Sequence, residues 1–118
     1  MKTLKDPGQV LEIMSRKLNE LRKKFDEADG DDAAEISGQE VAIIDIVGDI
    51  RHAIEDHGYF GHDYLGVKDM VCVYKYVADA KEKFREYGNP RDTWFMKGRA
   101  EGATWAMKEI EKRMEEEP

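Results

Sequence analysis

A chain of 118 residues can build one hydrophobic core and is too short for two. Its 26 acidic against 19 basic residues leave a formal net charge of −7. That charge repels phosphate backbones and anionic membranes, which argues against nucleic acid as a direct partner. One cysteine excludes an intramolecular disulfide and a thiolate metal cage, and no stretch approaches the roughly 18 uncharged apolar residues a membrane span needs. Polar residues interrupt the N-terminus before any apolar leader develops, so the chain reads as cytoplasmic.

Asp6, Pro7 and Gly8 open the first element as an N-cap followed by proline at N1, where its missing N–H costs nothing. A helix over 7–28 follows, with Val10, Met14, Leu18, Leu21 and Phe25 on one face and Leu11 at its edge. The acidic stretch 26–32 around Gly30 reads as a tight connection.

A second helix is expected over 32–57. Ile36, Ile43, Val47, Ile50 and Ile54 share a face that Ala42, Ile46 and Ala53 widen on one side and Ile44 on the other, a breadth that suits more than one neighbour. Asp45, Asp49, His52 and Asp56 form a polar stripe opposite. Asp49, His52 and Asp56 are the candidate metal ligands, with His62 and Asp63 nearby in sequence. The competing reading of that stripe is a solvated helix face.

Segment 57–66 interleaves Gly58, Gly61 and Gly66 with Tyr59, Phe60, Tyr64 and Leu65, and reads as a loop. Tyr59, Phe60 and Tyr64 have the composition of a recognition surface and are the candidate partner-binding residues. Phe60 and Leu65 suit a plug over the end of a bundle equally well. The pair His62–Asp63 resembles the metal-binding doublet of phosphohydrolases, here in a glycine-rich segment rather than an apolar helix.

The third helix is expected over 67–87. MVCVYKYV at 70–77 has strand-like composition, but Val67, Met70, Val71, Tyr74, Val77 and Phe84 recur at helical spacing, and a lone strand would lack a partner. Cys72, between two valines, reads as a buried, inert thiol.

Asp92 or Thr93 caps the fourth helix, 93–114. Phe95, Ala103, Ala106, Met107, Ile110 and Met114 form one face, while Trp94, Gly98, Gly102 and Trp105 project on a second side. Each interior glycine costs about 1 kcal/mol relative to alanine, which a close backbone approach would offset. Trp94, Gly98, Gly102 and Trp105 are therefore the candidate self-association surface, and a helix of the same chain is the alternative occupant.

The architecture expected is all-α, an antiparallel four-helix bundle in one domain over 1–118. Phe25 in KKFDEA and Phe84 in EKFREY, then Gly38 in SGQEVA and Gly98 in KGRAEGA, recur at offsets of 59 and 60, which suits two related helical hairpins. No Walker, GxGxxG, CxxC, EF-hand, Glu-x-x-Glu or Glu-x-x-Asp pattern occurs, and no cofactor is expected. Binding is favoured over catalysis. The leading reading is an acidic interaction module, adaptor or inhibitor, with a protein partner at the aromatic loop and a homodimer through the fourth helix. A decoy imitating nucleic-acid charge and a metal-dependent hydrolase on the stripe of the second helix are the alternatives.

Overall fold

The computed structural model describes residues 2–56, 64–86 and 90–116. Its elements are β1 (Lys2–Lys5), α1 (Pro7–Glu27), α2 (Gly30–Asp56), β2 (Tyr64–Gly66), a 3-10 turn (Val67–Met70), α3 (Val71–Glu86), α4 (Pro90–Glu111) and β3 (Met114–Glu116). The class is all-α, with four helices packed together. Asp6 begins α1 as expected: its carboxylate accepts a hydrogen bond from the Gln9 N–H at 3.2 Å, and Pro7 occupies the first turn. The strand-like stretch 70–77 is helical, because Met70, Val73, Val77 and Ala80 at spacings of three and four can all reach one core. The fourth helix starts earlier than an Asp92 or Thr93 cap implies, at Pro90, a residue suited to a first helical turn because it lacks an N–H to leave unpaired.

The centre of the molecule is the contact between α2 and α4, with α1 resting on α2 and α3 resting on α4. Glycines set its closeness. A Cβ on Gly38 would overlap the Phe95 carbonyl oxygen and lie 2.7 Å from the Arg99 nitrogen. One on Gly98 would overlap the Glu35 carbonyl oxygen, and one on Gly102 would lie 2.7 Å from the Gln39 carbonyl oxygen. Glu35 meets Gly98 and Gln39 meets Gly102, so residue numbers rise together and the two helices run in the same direction.

These contacts obey the offset of 60. Gly38 against Phe95 becomes Gly98 against Glu35 when the halves are exchanged, and Ala42 meets its own counterpart, Gly102. The flanking helices agree at an offset of 59: Glu20 pairs with Lys24 at 3.2 Å, and Asp79 with Lys83 at 3.4 Å. The two hairpins are therefore arranged about an approximate two-fold relation at the glycine contact.

The small sheet was not expected. β1 lies between β2 and β3, antiparallel to both, with Leu4 opposite Leu65 on one side and Met114 on the other. Leu4 and Leu65 are fully buried, a gain of roughly 1.5–3 kcal/mol each. The sheet explains why α4 stops at Glu111 and not at 114. Arg113 Nη1 donates to the Glu109 carbonyl at 2.8 Å, closing the last turn, and the chain then extends into β3.

The core corrects several further expectations. Phe25 and Ile44 are 42% and 52% exposed, and Val67 and Val71 are also exposed, Val73 taking the buried position on α3. Cys72 is exposed, not buried. It lies about 100° around the helix from Val73 and about 140° from Val77, which are residues of α3 that face inward.

Candidate interaction surface

The residues singled out from sequence do not converge on one site. Tyr59 and Phe60 lie outside the described residues, as do His62 and Asp63. Tyr64 is in β2, where its backbone pairs with Lys5. Gly98 and Gly102 are buried against α2 of the same chain. The close approach they permit is thus met internally. Trp94 and Trp105, both half-buried, each lie under a lysine: Lys97 is 5.1 Å from the Trp94 ring centre and Lys17 is 5.3 Å from that of Trp105.

On the stripe of α2, His52 Nε2 and Asp56 lie 3.5 Å apart with both side chains more than two-thirds exposed. The Asp49 carboxyl is pushed up by burial and by the neighbouring charge of Asp45, against a weaker opposing pull from His52. Among the described residues no three His, Cys, Asp or Glu side chains are grouped to hold a metal ion.

Two polar clusters tie the helices together. At the glycine contact, Gln39 Nε2 donates to Glu101 at 3.2 Å, and Lys97 lies 3.8 Å from both Glu35 and Glu101. Burial and the facing Glu35 carboxylate push the Glu101 carboxyl up. Beside α3, Arg99 Nε donates to the Tyr76 hydroxyl at 3.1 Å, reaches Asp79 at 3.4 Å and stacks 4.7 Å from the Tyr76 ring centre. Burial, with the Asp45 carboxylate as hydrogen-bond partner, drives the Tyr76 hydroxyl up to about 12 despite that arginine.

The surface that sequence reading missed is the outer face of α2. Leu11, Ser15 and Leu18 of α1 and Ile44, Val47, Gly48 and Arg51 of α2 line an open groove of about 330 Å³. Ile44 projects beside it, while a Cβ on Gly48 would meet nothing within 4 Å. Of Gly38, Gly48, Gly98 and Gly102, Gly48 alone has no internal contact to explain it.

The internal repeat makes this face informative. Along it α2 carries Ser37, Val41, Ile44 and Gly48, where α4 at the offset of 60 carries Lys97, Glu101, Thr104 and Lys108. The two halves thus differ here, polar side chains on α4 standing where α2 carries small and apolar ones. Aligning the halves residue by residue would have exposed this difference in the sequence itself. No family model, curated protein or solved structure matches the chain.

Proposed function

We propose that the chain is a protein-interaction module, an adaptor or inhibitor that works by presenting a surface. Its scaffold is four packed helices in two hairpins that meet across the parallel α2–α4 contact, not the antiparallel bundle expected from sequence, and its principal surface is the outer face of α2. The observation carrying this reading is Ile44, 52% exposed beside a groove of leucine and valine, at a place where the repeat counterpart is Thr104. Ile44, with the partly buried Leu11, Leu18 and Val47 beside it, offers an apolar contact to a partner's side chains. The aromatic segment with Tyr59, Phe60 and Tyr64 forms a second contact region in this reading.

The test is site-specific photo-crosslinking in the source cell, with the reactive residue replacing Ile44 in one variant and Thr104 in another. A discrete adduct at 44, absent at 104 and lost on Gly48→Glu, is expected. Absence of any adduct at 44, or equal adducts at both, overturns the reading. Replacing Tyr59 and Phe60 by Ala weakens the same adduct if the aromatic segment contributes.

A further inference from the structure

The groove on α2 has a projection and a hollow one helical turn apart. Ile44 stands out from the helix, and Gly48 leaves open space over the backbone. A helix bearing both features is complementary to a copy of itself turned end for end about a two-fold axis. We propose that a second copy of this chain docks here, α2 against α2, with Ile44 of each copy seated over Gly48 of the other. This inference rests on the proposed interaction surface and names its occupant.

Charge favours the same arrangement. Arg51 is exposed and makes no ion pair among the described residues. With Ile44 opposite Gly48, the antiparallel register places Arg51 opposite Val41 and beside Glu40 of the second copy. Glu55 meets Ser37 of the second copy, whose hydroxyl can donate to it. A parallel contact would instead set Arg51 against Arg51 and Glu55 against Glu55. Leu11 and Leu18 of α1, both half-buried, wall the groove and extend the apolar contact beyond one helix. The chain already uses this device internally, where Gly38, Gly98 and Gly102 admit a neighbouring backbone.

Sedimentation equilibrium of the purified protein, carried to about 0.5 mM to reach weak association, tests the contact. A reversible dimer is expected. Ile44→Glu and Gly48→Ile should each weaken it at least tenfold, the first by placing a charge in the contact and the second by filling the hollow. Thr104→Glu should leave it unchanged, and circular dichroism of each variant separates lost association from lost folding. Orientation is read in a Cys72→Ser background: Ile44→Cys chains mixed with Gly48→Cys chains should form a mixed disulfide. A monomer throughout the concentration range, a dimer indifferent to Ile44→Glu, or coupling only between two Ile44→Cys chains overturns the proposal. The interaction-surface reading is judged separately, by crosslinking in the cell to any partner.

Discussion

A methyl group on Gly98 would overlap the carbonyl oxygen of Glu35, so the helix on which it sits could not keep its place against α2. The obstacle is backbone, which cannot swing aside as a side-chain tip would. Gly98→Ala and Gly38→Ala should therefore each cost about 1–3 kcal/mol or more through forced separation of the helices. Gly48→Ala should do the opposite and stabilise by about 0.5–1 kcal/mol, since its site is open and alanine is the better helix former. Urea unfolding of dilute protein followed by helix ellipticity measures all three. Equal effects of the three substitutions would show that the α2–α4 contact is not built on glycine.

The carboxylates at that contact set one sign of pH dependence. Glu101 is pushed above the ordinary carboxylate value by burial and by Glu35, with Lys97 and Gln39 pulling the other way. Between its unfolded and folded pKa values the folded chain holds more protons than the unfolded one, so stability falls as pH rises through that window and stays lower at neutral pH. Glu101→Gln should consequently melt higher than the parent at pH 7, and the difference should vanish below the ordinary carboxylate range. A variant that melts lower at pH 7 would refute this.

Glu109 supplies the opposite sign. Burial pushes its carboxyl up, but the hydrogen bonds from Lys112 and Arg113 outweigh burial and hold it below the ordinary value. Its contribution is present at neutral pH and is lost on acidification through the lowered pKa. Glu109→Gln should melt lower than the parent at pH 7, with the gap closing in acid.

Cys72 gives a chemical readout of how α3 is rotated. Its thiol is exposed in the folded protein, so a thiol-specific reagent should modify one group per chain without denaturant. Modification that requires urea would place Val71 and Cys72 in the core and Val73 outside it.

That rotation shows where sequence reading reached and where it stopped. Helix positions in 7–27 and 30–56 were legible because caps and apolar spacing are local, and Asp6 with Pro7 marked the first start correctly. The phase of α3 was not, since Val71, Cys72 and Val73 are all apolar and only the neighbours decide which turns inward. Three strands of three or four residues were invisible: β1 is KTLK, and its pairing with Leu65 and Met114 joins segments about 60 and 110 residues away. The glycine contact was legible as a close approach, but its occupant was not. Residue spacing shows that Gly98 needs a neighbour, and only the three-dimensional arrangement shows that the neighbour is Glu35.

The hydroxyl of Tyr76 connects three helices, since Arg99 of α4 donates to it and Asp45 of α2 is its other polar neighbour. Burial is the main reason its pKa stands at about 12, and the Asp45 carboxylate adds to this because it accepts the phenolic proton and repels a phenolate. Asp45→Asn removes the negative charge while keeping an oxygen that can accept, so the Tyr76 pKa should fall part of the way toward the ordinary tyrosine value, Arg99 then being opposed chiefly by burial. Arg99→Ala should destabilise the fold by about 1–2 kcal/mol, through the lost hydrogen bond and ring stacking, and should raise the Tyr76 pKa further. Tyrosine ring-carbon resonances followed through an alkaline titration distinguish Tyr76 from the other four tyrosines. A Tyr76 signal that titrates with the ordinary group in the parent protein, or that does not respond to Asp45→Asn, would show that the three side chains do not meet.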